Sequence, residues 1–198
     1  MKKTLAISLA FGDIYSNAGT GQLNLPLDGS IARFEKVTLD LPYDIHTLVV
    51  CTAGYTRKEP LVPQPERLIS LAHQLEHYVQ EHVDCWHERL LAQPLCWSTR
   101  NEVRVGIKLA QRFGFAVKEE RVDVVVASNL SHLFRIWMYA HLYKPRTWKL
   151  KLRWAHHNFS LLDHLMEPAK MTRDIVYIAR VLIRLRKLKN KTRPTVSR

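Results

Sequence analysis

The chain has 198 residues, of which 46% are hydrophobic, and it carries 30 lysines and arginines against 18 aspartates and glutamates. This composition excludes a disordered chain and a small disulfide-stabilised scaffold, because there is enough apolar material for one full core. Three cysteines are an odd number for a chain whose core needs no covalent cross-link, so we expect reduced thiols and a cytoplasmic location.

The net charge of +12 is concentrated towards the C-terminus. Residues 180–198 contain eight basic residues and no acid, and residues 144–153 contain five more, also without an acid. The rest of the chain is therefore close to neutral. The positive charge is carried by one predicted edge strand and by a basic C-terminal helix and tail from about residue 168 to residue 198.

The first predicted element is a buried strand from Thr4 to Phe11, an apolar run that is closed by Gly12 and Asp13. Together with Lys2 and Lys3, which follow Met1, this run also resembles a secretory signal. It is short, however, and it lacks a clear small-x-small cleavage site, so a strand is the preferred interpretation. No apolar stretch in the sequence approaches the roughly 20 residues that span a bilayer.

Helices and strands alternate in the next part of the chain. Ile31, Phe34 and Val37 form a short helical stripe, and His46 to Cys51 is a β-branched run that predicts a second strand. A long helix is predicted from about Glu66 to about Leu91, because apolar residues recur there at spacings of three and four.

A further helix is predicted to start at Ser98 or Thr99 and to end at Gly114. Thr99 and Glu102 have the spacing of a capping box, which is typical of a helix start. The clearest buried strand of the chain follows at Val122 to Ala127.

Ser128 and Asn129 lead directly into a helix from Leu130 to Tyr143. Trp148 to Trp154 alternates between apolar and basic residues, which predicts a strand at an edge of the sheet. After a histidine-rich loop, Pro168 precedes a last helix whose apolar stripe is expected to cover the core. This stripe consists of Ile175, Ile178, Val181, Leu182 and Leu185.

The predicted elements follow the order βαβααβαβα. Strands that are separated by helices cannot pair as hairpins, so a mainly parallel sheet of about five strands with helices on both faces is expected. The predicted fold is a Rossmann-like three-layer α/β sandwich in a single domain over residues 1–198. In such folds, ligands bind beyond the carboxyl ends of the strands.

Small and polar residues gather at these carboxyl ends and are the candidate ligand-binding residues. They are Gly12, Asp13, Ala53, Gly54, Ser98, Thr99, Ser128, Asn129 and Arg135. A helix that starts at Asn129 directs free N–H groups and the positive end of its dipole to this edge, which suits a phosphate or a carboxylate. His132 and Arg135 share one face of that helix, where Arg can hold an anion and His can transfer a proton.

The catalytic candidates are His132 and Glu102. As a proton-transfer residue, His132 is expected to lie partly exposed at the mouth of the cleft, within side-chain reach of Arg135. Each candidate also has a structural alternative. His132 can pack against the sheet while Arg135 pairs with a surface acid. Thr99 with Glu102 need do no more than cap a helix, and Glu102 becomes a general base only if burial raises its pKa. Asp13 can bind a hydroxyl or a metal, or simply form a turn.

The strand ends resemble those of the YdcF/SanA/ElyC-like family of bacterial proteins over roughly residues 4–165. In that family, glycine-containing turns end two strands, a helix opens with Ser-x-x-Thr-x-Glu-type residues, and a later strand runs into Thr-Ser-x-x-His-x-x-Arg. Ser128, His132 and Arg135 match this last motif. Ala53-Gly54 stands where the family has a double glycine. The resemblance implies a Rossmann-like fold and a cell-envelope precursor context.

No metal site is predicted from the sequence. His73 and His77 lie four apart on the long helix, with a further cysteine and histidine near its end, but the spacing fits no standard zinc pattern. Cys51 and Cys96 are interpreted as small buried hydrophobic residues, because no base is tied to either of them.

The expected function is to bind an anionic, nucleotide-like or phosphate-bearing small molecule at the strand ends, with hydrolase or transferase activity. The expected cofactor class is a nucleotide-like or adenosyl-containing ligand. The alternative is a non-enzymatic binding module that uses the basic edge strand and the tail at 184–198 to hold an acidic partner, nucleic acid or a membrane surface.

Overall fold

A computed structural model describes residues 2–9, 28–52, 71–83, 85–86, 89–93, 96, 98–155 and 161–191. Five strands and five helices alternate along these residues. The strands are β1 (Lys3–Leu9), β2 (Thr47–Thr52), β3 (Leu90–Gln93), β4 (Val122–Ser128) and β5 (Lys149–Trp154). The helices are α1 (Asp28–Thr38), α2 (Leu71–His82), α3 (Thr99–Arg112), α4 (Leu130–Tyr143) and α5 (Leu161–Lys191).

The five strands form one parallel sheet in the order β3-β2-β1-β4-β5. β1 lies at the centre, where Ser8 aligns with Cys51 of β2 and with Ala127 of β4. The chain builds outward from β1 to β3, then returns past β1 to add β4 and β5. The strand order therefore reverses between β1 and β4, which is the usual ligand-binding position in such sheets. The predicted Rossmann-like three-layer α/β class is confirmed.

One face of the sheet packs against α1 and α2. The core on this face combines alternate strand residues with one side of each helix, as the two-residue period of a strand requires. Its members include Ala6, Val49, Val125, Phe34 and Leu75. β4 is buried along its whole length, as expected of a strand that helices cover on both faces.

The opposite face packs against α3 and α4, and Gly106 lets α3 lie close to β1. A Cβ added to Gly106 would lie 2.9 Å from Cδ1 and 3.2 Å from Cγ1 of Ile7. Ile7 is fully buried, so its side chain has little room to move away. The absence of a side chain at Gly106 therefore sets the position of α3.

The prediction of a helix over 66–91 is wrong at the C-terminal end. α2 ends at His82, and Leu90–Gln93 form β3, which pairs with β2 over Val49 to Thr52. Pairing with the edge of β2 satisfies the backbone groups of this segment, and that tertiary contact outweighs local helical periodicity. The start predicted at Glu66 lies outside the described residues.

The chain divides into two compact units, residues 1–158 and 159–198. The described part of the second unit is α5. This helix begins at Leu161, so the prediction that the last helix follows Pro168 is wrong, and Pro168 lies inside it. Leucine, methionine and glutamate dominate the seven residues before the proline, and their high helix propensity favours the earlier start.

α5 exposes much of its apolar surface. Ile175 and Leu182 are 47% and 52% exposed, and Val176 and Ile183 are 45% and 55% exposed. The expectation that the stripe covers the core stays a prediction. These four residues occupy neighbouring positions around the helix, and the apolar surface is too broad for one narrow contact. None of the described helices is long and apolar enough to cross a membrane.

β5 lies at the edge of the sheet, as its alternation predicts, and Lys151 of β5 joins a group of ion pairs near the amino ends of the strands. Nζ of Lys2 and Nζ of Lys151 lie 2.6 and 2.7 Å from Oδ2 of Asp123. Lys3 pairs in the same way with Glu120 at 2.9 Å. Burial raises the pKa of Asp123, but hydrogen bonds from Lys151 and Lys2 outweigh it, and the net pKa is lowered.

Candidate functional site

Predicted site residues from β4, α4 and α3 come together at the carboxyl edge of the sheet. His132 forms hydrogen bonds with Thr99 and Ser128, and the positive charge of Arg135 acts on Glu102. Four other predicted ligand-binding residues lie outside the described part of the chain and stay predictions. They are Gly12, Asp13, Ala53 and Gly54.

β4 brings Asn129 to this edge at the start of α4. Asn129 is the N-cap of α4 and has an extended backbone, yet its side chain makes no capping hydrogen bond. Only 6% of Asn129 is exposed, and its amide Nδ2 has no hydrogen-bond partner among the described residues. Such a buried donor costs on the order of 1–3 kcal/mol. A ligand acceptor placed against Nδ2 would recover that energy.

His132 bridges two hydroxyl groups. Its Nε2 lies 2.6 Å from Oγ1 of Thr99, and its Nδ1 lies 3.0 Å from Oγ of Ser128. These bonds link α4 to the N-terminus of α3 and to the end of β4. His132 is 9% exposed, so the expectation of a partly exposed side chain at a cleft mouth is wrong. Burial is tolerated because both ring nitrogens have hydrogen-bond partners.

Ser98 caps α3, and this leaves Thr99 to act elsewhere. Oγ of Ser98 accepts a hydrogen bond from the backbone N–H of Asn101 at 3.4 Å. Thr99 is the first residue of the helix, and its hydroxyl contacts His132 instead. The capping role that the sequence allowed for Thr99 therefore belongs to Ser98. Thr99 is 6% exposed, so its hydroxyl is buried within the site.

Glu102 lies one turn into α3 and is half-buried. Burial raises its pKa to about 8, although the positive charges of Arg33 and Arg135 act to lower it. A carboxyl group with such a pKa exchanges its proton near neutral pH, which is the property a general acid or base needs. Glu102 thus meets the condition on which its catalytic candidacy depended.

Arg33 belongs to the same site, although the sequence pattern does not single it out. It is 1% exposed, and its Nη1 donates a hydrogen bond to the carbonyl oxygen of Leu9 at 3.1 Å, at the end of β1. Arg135 is 6% exposed, so it is not a surface residue. A charged side chain within the buried face of a helix, four positions before Val37, is the signal that could have revealed Arg33.

Two buried hydroxyl groups near the ends of β1 and β2 also escape the sequence pattern. Ser8 and Thr52 are fully buried, and neither Oγ of Ser8 nor Oγ1 of Thr52 has a hydrogen-bond partner in the described part of the chain. Thr52 is the last residue of β2, and Ser8 is the second-last residue of β1. A hydroxyl at the end of an apolar strand is the signal that could have identified them.

Cys51 and Cys96 lack the properties of a nucleophile. Burial raises the pKa of Cys96 to about 12, and the nearby charge of Glu102 adds to this effect. Burial also raises the pKa of Cys51 far above its ordinary value. The thiolate is the reactive form of cysteine, and neither residue forms it readily. Among the residues that the structure describes, no group of three His, Cys, Asp or Glu side chains is arranged to hold a metal ion.

The site therefore combines two buried guanidinium groups, a carboxyl group that titrates near pH 8 and an imidazole held between two hydroxyls. This set can bind an anion and move a proton at the bound group. No protein-family model, no curated protein and no solved structure matches the chain.

Proposed function

We propose that this chain binds an anionic, phosphate-bearing small molecule of nucleotide-like or adenosyl-containing character at the carboxyl edge of its sheet. We further propose that it acts on this ligand as a hydrolase or transferase, in the cytoplasm. The resemblance to the YdcF/SanA/ElyC-like family is part of this proposal. Ser128, His132 and Arg135, which match the family motif, are all buried near the end of β4.

The observation that supports the proposal most strongly is buried positive charge close to a buried donor. Arg33 and Arg135 both act on Glu102, which is largely protonated at neutral pH because its pKa is about 8. A phosphate group accepts paired hydrogen bonds from guanidinium, so these two arginines are suited to hold one. Asn129 adds an amide donor at the N-terminus of α4, where anions are favoured.

Each residue then has a distinct role. Arg33 and Arg135 hold the phosphate, and Asn129 donates to one of its oxygens. His132 transfers a proton at the reacting group, and Glu102 is a second proton carrier. Loss of a positioned acid or base typically lowers turnover by about 10² to 10⁴, so His132→Gln should reduce turnover far more than affinity.

A thermal-shift panel tests the proposal directly. Inorganic phosphate, pyrophosphate, nucleoside mono-, di- and triphosphates, sugar phosphates and adenosyl compounds are added at constant ionic strength. A ligand at 100 times its Kd stabilises the fold by about 2.7 kcal/mol. We expect at least one phosphate-bearing compound to raise the Tm, and we expect Arg135→Ala to remove that rise.

Two matched variants show whether the effect belongs to the site. Arg112→Ala removes an exposed arginine from α3 and should leave the shift intact. Arg135→Lys keeps the charge but loses the paired hydrogen bonds, so the shift should be reduced rather than abolished. The proposal is wrong if no phosphate-bearing compound raises the Tm, or if the rise is the same in Arg135→Ala.

A second candidate function is supported by α5. Its half-exposed Ile175 and Leu182 lie among exposed Arg180, Arg184 and Arg186. This combination is typical of a helix on an anionic membrane surface, with apolar residues at the acyl boundary and basic residues at the headgroups. In this alternative the chain is a non-enzymatic binding module. Exposed isoleucine and leucine favour a membrane over nucleic acid, for which phosphate contacts suffice.

Vesicle sedimentation separates the two candidates. The full chain should bind vesicles rich in phosphatidylglycerol, bind neutral phosphatidylcholine vesicles weakly, and lose binding steeply with salt. Deletion of residues 184–198 should abolish vesicle binding and leave the phosphate-dependent Tm rise unchanged. Equal binding to neutral vesicles, or tighter binding to duplex DNA than to anionic vesicles, would contradict the membrane alternative.

A further inference from the structure

The hydrogen bonds around His132 favour a proton on one of the two ring nitrogens. Oγ of Ser128 donates to Oδ1 of Asn129 at 3.4 Å. A hydroxyl has a single proton, so at its second contact Oγ of Ser128 must accept. That contact is with Nδ1 of His132 at 3.0 Å. This arrangement favours the neutral ring with its proton on Nδ1 and with Nε2 as the proton acceptor.

Nε2 of His132 in turn contacts Thr99. The 2.6 Å distance between Nε2 and Oγ1 is short, and with the ring proton on Nδ1 the Thr99 hydroxyl is the donor. A hydroxyl that donates to an imidazole, with a third group fixing the ring from behind, is the arrangement that activates serine and threonine as nucleophiles. Thr99, His132 and Ser128 form this series.

We propose that Thr99 is the nucleophile of this site and that His132 is its base, with Ser128 and Asn129 as positioning residues that fix the ring tautomer. For its substrate class this assignment rests on the proposed function. The substrate is a phosphate ester or phosphoanhydride, because the buried guanidinium groups lie near the same carboxyl edge.

The surroundings of Thr99 favour this chemistry. Thr99 is the first residue of α3, so the positive end of the helix dipole stabilises negative charge that develops on its oxygen. Arg33 and Arg135 would stabilise charge on the phosphoryl oxygens in the transition state. The buried thiols of Cys51 and Cys96 are poor competitors, because burial disfavours their thiolate forms.

The reaction proceeds in two balanced steps. Oγ1 of Thr99 forms a bond to phosphorus while its proton passes to Nε2 of His132. The bond from phosphorus to the leaving oxygen breaks, and that oxygen takes the proton from Nε2. Water then attacks the phosphothreonine with Nε2 again accepting a proton, which returns to Oγ1 as the phosphoryl group leaves. An alcohol in place of water makes the same sequence a transfer.

The tautomer is tested by ¹⁵N NMR of the His132 ring in the full chain near pH 8. We expect the proton on Nδ1 and an unprotonated Nε2. Ser128→Ala should remove this preference, whereas Ser30→Ala, at a buried serine of α1, should leave it unchanged. A ring protonated on Nε2 would mean that the Asn129 amide is turned around and that Thr99 is not activated, which would overturn the proposal.

The nucleophile is tested with a small uncharged dialkyl fluorophosphate, which forms a bond from Oγ1 to phosphorus as fluoride leaves. Intact mass spectrometry and peptide mapping should place one adduct on Thr99. Thr99→Ser should keep the labelling, Thr99→Val should abolish it, and His132→Gln should slow it about 100-fold or more. Thr38→Val, a half-buried threonine of α1, serves as the matched control and should label like the unaltered chain.

The uncharged probe separates this inference from the proposed function. Labelling of Thr99 without any phosphate-dependent Tm rise would refute the proposed ligand and keep the nucleophile. A phosphate-dependent Tm rise with no adduct on Thr99 would refute the nucleophile and keep the ligand site. Peptide mapping of the unaltered chain gives this answer even if Thr99→Val fails to fold.

Discussion

The amino and carboxyl edges of the sheet hold their charged groups in opposite ways. At the amino edge, Asp123 is paired with Lys2 and Lys151, whose side chains are 56% and 55% exposed. At the carboxyl edge, Arg33 and Arg135 are almost fully buried, and both act on the half-buried Glu102. A surface depression at the amino edge is lined mostly by charged residues. They are Lys2, Lys3, Glu120, Arg121, Val122, Asp123 and Lys149.

The pKa of the central carboxyl group moves in opposite directions at the two edges. For Asp123, burial raises the pKa, but hydrogen bonds from Lys151 and Lys2 outweigh it, and ionisation stabilises the fold. For Glu102, burial raises the pKa to about 8 in spite of two nearby cations, so ionisation destabilises the fold. Groups that cost stability and titrate near neutral pH are concentrated at functional sites. This criterion agrees with the choice of the carboxyl edge as the candidate functional site.

The largest expected effect is on the pH dependence of stability through Glu102. Because the pKa of Glu102 is raised in the folded protein, the unfolded chain binds fewer protons than the folded chain between about pH 4.5 and pH 8. As the pH rises through this range, the free energy of unfolding therefore falls by up to about 1.4 kcal/mol per pH unit. Glu102→Gln should remove this slope and make the protein more stable above pH 8. Urea unfolding from pH 4 to pH 9 measures it, and an unchanged slope in the variant contradicts the assignment.

Removal of Arg33 should have the next largest effect. Arg33→Met leaves Glu102 with less compensating charge and removes the hydrogen bond to Leu9, so the free energy of unfolding should fall by about 3 kcal/mol. The loss should be greater at pH 9 than at pH 6, because Glu102 is ionised only at the higher value. Arg112→Met, at an exposed position of α3, should cost much less at both pH values. Equal losses at pH 6 and pH 9 would show that Arg33 does not act on Glu102.

A side chain at Gly106 should disturb the carboxyl edge by moving α3. Gly106→Val overlaps with Ile7 and should cost about 2 kcal/mol, as overpacked cores do. Gly114→Ala is the control, because φ there is +68° and the surroundings are open, so its cost of roughly 1 kcal/mol comes from the backbone alone. Thermal unfolding measures both losses. Only Gly106→Val should also weaken phosphate binding, and a phosphate-dependent Tm rise that survives in it would show that the site does not depend on the position of α3.

The smallest expected effect is at the amino edge. Asp123→Asn removes the ion pairs with Lys2 and Lys151 and should cost about 1 kcal/mol at pH 7. Since the folded pKa of Asp123 is lowered, this difference should shrink as the pH falls below about 4. The pH dependence of stability that Asp123 causes is therefore opposite in sign to that of Glu102. Denaturant titrations of Asp123→Asn at pH 3 and pH 7 measure this difference. Weaker phosphate binding by the variant would show that the two edges do not act independently.

Local patterns predict β4 and α4 well because the signal for each element is strong. Five of the six residues from Val122 to Ala127 are apolar, and the observed strand extends one residue further, to Ser128. α4 spans Leu130–Tyr143, as predicted. The same patterns fail at β3, where the residues 90–93 are equally compatible with the end of an amphipathic helix. Only pairing with β2 decides between these states, and that pairing joins residues about forty positions apart.

The sequence by itself determined the α/β class, the parallel sheet and the edge at which polar residues gather, because strand and helix periodicity are local properties. The tertiary structure decided which of those residues work together. Arg33 reaches the end of β1 across 24 positions, and Thr99 meets His132 across 33. Burial, hydrogen-bond partners and the raised pKa of Glu102 depend on such distant neighbours, so no local pattern contains them.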